Sequence, residues 1–544
     1  MKKDTLILYI SMFIMGSCGI AYEYTFSKIS SDLLGNSTKQ WAIIIGLMML
    51  FMGIGSDIQK YIKDRSLISK FIFFEALLSL IGGAGPLFLL YIFGEYRDFY
   101  RLFQYLFIVS TGLIIGMEIP LLTRVNEGYA KNLKINLGGI LKMDYIGSFA
   151  GAIIWIFVLP IWFNIIESGM VLGIFNIFVA MVTLIYFRNQ LKHFGKLLLF
   201  IVVIAVLNGF ILYNAGEWSI ETEQKLYRDK VILSKTTQYQ HIVLTKSDNN
   251  IFNCYINGNL QFSSLDEHIY HEMLVHPPMQ LAEKRSNILI LGGGDGLALR
   301  EILKYDDVEM VTLVDIDPLM TDLASKDKNF LLLNKGSLSE ERVNIFKSNS
   351  ISSSGTLPIY SKNFNLYKES EYDSVATVQI FNIDAFTFID EIKDIYDVVI
   401  IDFPDPNSRE LSKLYSKGFY TRLQKKLSKY GIIVQQSTSP FHANKTYNCI
   451  GKTMESSGFK VVPYHQNVPS FGEWGFWIGA KNLNIKKSLD SEKFKNIPTT
   501  FFTSPLFDSS KIFGKSILNK DSVGVNTVIN NIIYNYYDKA WKNL

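Results

Sequence analysis

Seven apolar runs crowd the first 213 residues of this 544-residue chain. They lie near 5–25, 41–58, 69–93, 102–123, 143–163, 166–187 and 196–213. Each approaches or exceeds the roughly 18 residues that a helix needs to cross a hydrocarbon core. One such run fits a buried helix of a soluble protein. Seven in succession do not, so the expectation is an N-terminal multi-span α-helical membrane domain over 1–215. Gly82-Gly83-Ala84-Gly85-Pro86 in the third run fits close helix packing. Glu23, Glu75, Glu118 and Asp144 sit at or within the runs. A carboxylate in lipid is costly, so these are expected to face the bundle interior or an interface. They would either line a polar cavity for a cationic solute or cap helices near a membrane surface. Met1-Lys2-Lys3-Asp4 leads into the first run with no small-residue cleavage site, which argues against a signal peptide.

After residue 215 the pattern changes. Net charge over the whole chain is only +4, which implies no nucleic-acid partner. Cys18, Cys254 and Cys449 are far apart and read as free thiols. Residues 231–243 and 251–262 alternate like antiparallel strands, with Asn257-Gly258 as a tight-turn signal. A short helix follows from Asp266 to His276. Then Asn287-Ile-Leu-Ile-Leu-Gly-Gly-Gly-Asp-Gly296 reads as strand and glycine turn, and 311–318 as a second strand ending in Asp315 and Asp317. Gly292, Gly294 and Gly296 form the turn by which nucleotide-type ligands meet a parallel sheet. The odd element is Asp295: a carboxylate there repels phosphate or carboxylate and attracts an amine. Further strand ends carry Asp384, then Asp402 and Asp405, and 431–436 is another strand. Strands alternating with helices predict a doubly wound parallel sheet, with ligands at the strand C-terminal ends. Asp295, Asp315, Asp384, Asp402 and Asp405 all fall at such ends. Residues 347–378 read as a surface insertion.

From about Gln238 to Lys481 the chain resembles the spermidine/spermine synthase family, the aminopropyltransferases. The matching pieces are Tyr239-Gln240, Gly258 with Gln261, Asp266-Glu267 with Tyr270-His271-Glu272, and Gly292-Gly-Gly-Asp-Gly296. Further on come Asp315-Ile-Asp317, Asp384-Ala385, Asp402 with Asp405-Pro406, Leu414-Tyr-Ser, Phe419-Tyr420 and Trp474-Gly-Phe476. The apolar runs, Ser437-Thr-Ser-Pro440 and Val525-Asn-Thr527 look like the membrane-bound branch of that family. The resemblance implies a small antiparallel β-subdomain over 216–280. A Rossmann-like (class I methyltransferase-like) α/β domain would follow over 281–485, then a C-terminal extension over 486–544. It implies transfer of an aminopropyl group from decarboxylated S-adenosylmethionine to putrescine, giving spermidine and methylthioadenosine.

By the same resemblance Asp405 accepts the proton of the attacking amine, with Tyr270 as its hydrogen-bond partner, and Asp402 holds an amine. The roles of the two acids remain exchangeable. Gln240, Gln261, His271, the glycine turn with Asp295, Asp315 (ribose), and Asp384 with Ala385 (adenine) fall on the donor side. Gln436, Glu473 and Trp474, together with Asp402, fall on the acceptor side. Glu473 would supply negative charge that Ser437-Thr438 lack. Helical spacing pairs Glu267 with His271 and His268 with Glu272, as a metal site would. The family motif explains His271 and Glu272 without one, so no metal and no tightly bound cofactor is expected. Partners would be the diamine, the donor, the lipid bilayer and a second copy in a homodimer. Rival readings are another amine acceptor, a methyltransferase using intact S-adenosylmethionine, and a non-catalytic polyamine sensor or transporter. Asp295 weighs against the methyltransferase. Lys and Arg counts put the N-terminus in the cytoplasm, and seven crossings then put the catalytic half outside. A cytosolic metabolite as substrate argues for a cytoplasmic catalytic domain, which is the expectation kept.

Overall fold

A computed structural model describes residues 3–34, 37–130, 132–339, 344–348, 376–482 and 494–542. Most of the expected insertion at 347–378 lies outside them; 347–348 and 377–378 fall in strands. The chain forms two compact units, Met1–Asn250 with Tyr255–Asn259, and Ile251–Cys254 with Leu260–Leu544.

The first unit holds α1 (Lys3–Leu34), α2 (Ser37–Ile58), α3 (Leu67–Glu95), α4 (Tyr100–Glu127), α5 (Leu133–Phe157), the single turn α6 (Leu159–Trp162), α7 (Ile165–Tyr186) and α8 (Phe194–Gln224). Seven of its helical segments are long and apolar enough to cross a membrane, and each expected run maps onto one of them. Helix α3 packs on α7, α1 on α5, and α2 on α4. The Gly82–Pro86 stretch lets α3 press on α1: a Cβ on Gly85 would stand 2.7 Å from the Phe26 ring. Glu75 and Glu118 are buried within the bundle. Tyr22 Oη donates to Asn176 Oδ1 (2.7 Å), and Asn176 Nδ2 donates to Glu75 Oε2 (2.9 Å). Glu75 thus meets polar partners inside the bundle rather than the outer surface. Helix α7 starts from a capping box, Asn164 with Glu167, which satisfies backbone donors at its first turn.

A four-stranded sheet has the order β1 (Lys230–Thr236), β2 (His241–Lys246), β3 (Phe252–Ile256), β4 (Asn259–Ser263). The Asn257-Gly258 turn between the last two has positive φ at both residues, 50° and 77°, which asparagine and glycine tolerate best.

In the second unit α9 (Glu267–Leu281) precedes an eight-stranded sheet. Its strands in chain order are β5 (Asn287–Gly292), β6 (Met310–Val314), β7 (Asn344–Ser348), β8 (Thr377–Phe381), β9 (Tyr396–Asp402), β10 (Leu427–Gln436), β11 (Lys460–Val468) and β12 (Gly472–Ala480). The spatial order is β11-β12-β10-β9-β5-β6-β8-β7. Six strands from β7 to β10 run parallel, but β12 lies antiparallel between β10 and β11. This corrects the expected all-parallel sheet to a mixed one. The cause is the short β11–β12 connection, because a hairpin return cannot give a parallel pair. After α9 the helices are α10 (Leu297–Ile302), α11 (Pro318–Lys326), α12 (Lys328–Asn334), α13 (Ala385–Glu391), the single turn α14 (Arg409–Ser412), α15 (Lys417–Gln424) and α16 (Asn444–Ser456). Apolar side chains of β5, β9 and β10 enter a core with α13, α15 and α16; α9 packs on β9, β10 and β11.

Candidate active site

The chain reverses direction of travel across the sheet at β5, with β6 on one side and β9 on the other. That switch point opens a crevice at the strand C-terminal ends. Gly292 is opposite Asp402 in register, so the glycine turn and the β9 acid meet there. A Cβ on Gly292 would lie 2.2 Å from the Asp402 carbonyl oxygen. A Cβ on Gly294 would lie 2.5 Å from Asp315 Oδ2. Only glycine permits both approaches. Gly296 then starts α10 (Leu297–Ile302), and Asp295 Oδ1 accepts from the Leu297 N–H (2.9 Å).

Asp315, just past β6, accepts from the Gly294 N–H (3.0 Å) and the Asp317 N–H (2.9 Å), one on each oxygen. Burial pushes its carboxyl up to about 7 against these two donors. Burial likewise pushes Asp295 up to about 6, opposed by His271 and reinforced by Asp402. Asp402 is held above the ordinary carboxylate range by burial, opposed by His271 and Tyr270. Tyr270 Oη donates to Asp402 Oδ1 at 2.5 Å. The expected pairing of Tyr270 with Asp405 is therefore corrected. Tyr270 and His271 project from α9, which packs against β9, and the β9 residue within reach is Asp402.

His271 Nδ1 meets Glu267 Oε2 at 2.8 Å, and its Nε2 is 4.0 Å from Asp402 Oδ2. Burial alone would push His271 down, but the Glu267 carboxylate outweighs it and raises the imidazole to about 9. Glu267 is itself clamped by Arg300, whose Nη1 and Nη2 bond its two oxygens at 2.7 and 3.0 Å. Of the other residues at metal-like spacing, Glu272 accepts the backbone N–H groups of Thr500, Phe501 and Phe502. Further along α9, His276 lies 2.9 Å from Glu301 Oε2.

Asp405 follows β9 in the Phe403–Pro406 loop. Burial pushes its carboxyl up to about 6, and the Gln436 amide limits the rise. Gln436 Nε2 donates to the Phe403 carbonyl (2.5 Å) and to Asp405 Oδ1 (3.2 Å), while its Oε1 accepts from the Thr438 N–H (3.2 Å). This expected substrate contact is occupied in holding the loop. Thr438 has φ +55°, a costly left-handed conformation for a β-branched residue, at the point where the chain turns past Asp405.

Trp474 and Glu473 separate. Side chains alternate along β12. On one face Phe476 lies 5.6 Å from the Tyr270 ring, and Trp474 lies 5.0 Å from Phe471, which in turn lies 6.0 Å from Tyr270. On the other face Trp477 stacks on Tyr447 of α16. Glu473 belongs to this second face, ion-paired with His465. It is turned away from the Tyr270 wall, which corrects the expectation that it lines the acceptor site. Asp384 accepts from the Thr387 N–H (3.1 Å) as the cap of α13, which begins at Ala385, and pairs with Lys413 Nζ (2.6 Å). Gln261 lies on β4. Gln240 ends a turn in which its N–H donates to Thr237 Oγ1 (3.1 Å) in the first unit.

Phe471 and the Glu267–Arg300 clamp stand outside the sequence expectations. Only the clamp had a signal, an arginine on the helix that follows the glycine turn. Asp266 fixes Phe471 indirectly, by accepting from the Ser470 N–H (2.6 Å) and Oγ (2.8 Å).

The arrangement is a crevice with four acids, Asp295, Asp315, Asp402 and Asp405, one imidazolium and an aromatic wall. Such a site favours a cation and disfavours an anion. Comparison with known proteins agrees in kind. A model of the spermine/spermidine synthase domain matches residues 267–353 and 358–490. A polyamine aminopropyltransferase of Oceanobacillus iheyensis is 33% identical over 99% of this chain and 98% of its own. One from Leptospira interrogans is 34% identical over 99% of both. The crystal structure of spermidine synthase from Thermotoga maritima is 22% identical, with a TM-score of 0.42, covering 53% of this chain and 87% of that one.

Proposed function

Since the chain belongs to the spermine/spermidine synthase family and is an aminopropyltransferase, we propose that it makes spermidine from putrescine and decarboxylated S-adenosylmethionine, in a membrane. The observation that carries this reading is the excess of carboxylates at the switch point. Both substrates are cations, and the crevice is built to hold them.

The reaction is a displacement at the carbon beside a sulfonium. The amine lone pair forms the new C–N bond, the C–S bond breaks, and neutral methylthioadenosine leaves. The amine must first lose a proton, since an alkylamine has a pKa of roughly 10 in water. Asp405 accepts that proton. Asp402, held by Tyr270, orients an amine for in-line attack. Asp315 takes the ribose hydroxyls on its remaining lone pairs, and Asp384 with Ala385 the adenine edge. Trp474, Phe471 and Tyr270 supply aromatic faces to the cationic acceptor. His271, carrying charge at neutral pH, keeps Asp295 and Asp402 ionised before substrates arrive.

Incubation of the detergent-solubilised protein with the decarboxylated donor and a diamine panel is expected to release methylthioadenosine, fastest with putrescine. No release with any amine would sink the reading; release with another amine would change the acceptor.

Asp295 pairs with the donor ammonium. In Asp295→Asn the KM for the decarboxylated donor is expected to rise about 30-fold, the lower end of what losing a buried charge partner costs. Intact S-adenosylmethionine, whose carboxylate meets the same place, should become a better competitor. Unchanged donor discrimination would remove Asp295 from this role.

The seven apolar helices support anchoring in a bilayer. A reporter fused after Leu544 is expected to read cytoplasmic; an outside signal would uphold the charge count instead.

A further inference from the structure

Three acids of the first unit, Glu75 of α3, Glu118 of α4 and Asp144 of α5, lie at a similar depth in the helix bundle. Leu67, Glu127 and Leu133 begin or end these helices on one side of the bundle. Measured from them at the helical rise, the acids lie roughly 12, 14 and 17 Å deep. Groups so far inside a helix cap neither of its ends. All three converge on α1. A Cβ on Gly16 would stand 2.8 Å from Asp144 Oδ1. A Cβ on Gly19 would stand 3.6 Å from Ile115, the neighbour of Glu118 one turn away on α4. Tyr22 reaches Glu75 through Asn176.

Glu75 is fully buried and Glu118 is 2% exposed, and the Oε1 atom of each has no hydrogen-bond partner. No basic side chain is paired with any of the three acids among the described residues. A buried acid with an unpartnered oxygen is costly, and inside a bilayer such groups mark the seat or path of a cation. Among the described residues no three acid, histidine or cysteine side chains stand close enough to share one metal ion. Acids that converge on one helix yet stand apart suit a ligand whose positive charges are also apart, joined by an apolar chain. We propose that Glu75, Glu118 and Asp144 form a second amine site, inside the helix bundle, that holds the ammonium groups of a linear alkylpolyamine. The crevice of the second unit has its own acids, so this site does not depend on the reading of that crevice.

Equilibrium dialysis of the full-length protein in detergent with radiolabelled spermidine tests the site. Wild type is expected to hold two molecules per chain. Glu75→Gln and Glu118→Gln should each weaken one of the two sites about 30-fold, the lower end of what losing a buried charge partner costs, and leave kcat unchanged. Asp402→Asn, in the crevice, should weaken the other. Spermidine binding that neither glutamine variant alters overturns the proposal. A single wild-type site that only the glutamine variants weaken upholds it and removes the crevice reading instead. Where a glutamine variant fails to fold, the wild-type protein decides. Dicyclohexylcarbodiimide, an apolar reagent for carboxyl groups, should label Glu75 or Glu118, as read by peptide mass, and spermidine should protect them. Labelling that spermidine leaves unchanged overturns the proposal, as does labelling that sodium chloride blocks and spermidine does not.

Discussion

Asp405→Asn is expected to lower kcat by about 10²–10⁴-fold, the range that a positioned general base contributes. The amide is nearly isosteric and keeps the Gln436 contact as acceptor, but it cannot take the amine proton. The site predicts an unusual companion result. The folded-state pKa of Asp405 is raised, to about 6. A raised carboxyl favours folding only at low pH, and its ionisation disfavours the native state as pH climbs from the unfolded value through 6. Asp405→Asn should therefore unfold at the same or a higher temperature at neutral pH while losing turnover. The wild-type rate should fall as pH drops through about 6, because the base becomes protonated. Asp402→Asn is the control for exchanged roles. If Asp402 only holds an amine, its loss raises KM more than it lowers kcat. The reverse pattern in the two variants would swap the assignments.

The seven long apolar helices were legible because each run combines length with apolarity, a pattern that short sequence windows carry in full. The glycine turn and strand-end acids were legible because a parallel sheet places its ligand at one edge, so a short sequence pattern fixes a place in space. What escaped were contacts across large separations. Nothing local in Tyr270 says that its hydroxyl bonds Asp402 instead of Asp405; the packing of α9 on β9 decides it. Glu473 was misjudged by one residue's alternation, since its neighbour Trp474 faces the Tyr270 wall and it does not. Asp384 was legible as a strand-end acid, but its pairing with Lys413 and its capping of α13 were not.

Arg300→Met is expected to destabilise the second unit by about 3–5 kcal/mol, the cost of removing one partner of a buried ion pair. The side chain fits the same space, so the effect is electrostatic. Glu267 would keep its charge with only His271 to answer it, and both are nearly inaccessible. The pH dependence follows from the two shifts. Glu267 is held down at about 2, so its contribution is present above the ordinary carboxylate range and is lost as pH falls through 2. His271 is held up at about 9, so its contribution is full below the ordinary imidazole range and is lost as pH rises through 9. The wild-type clamp thus contributes most between roughly pH 5 and 6. In Arg300→Met the glutamate protonates more readily, and the gap to wild type should narrow as pH falls below about 4.5. Glu267→Gln with Arg300→Met removes both charges and should recover part of the loss. Thermal unfolding of the three proteins across pH 3–9 reads this directly. Equal destabilisation of the single and double variants would mean that the cost lies in the other bonds Arg300 makes, to Glu301 and the Leu333 carbonyl, and not in the unpaired Glu267. The connection to catalysis is His271: the Glu267 carboxylate keeps it cationic beside Asp295 and Asp402, and the double variant removes that carboxylate. The double variant, not the single one, should therefore also bind the donor less well at pH 8 than at pH 6.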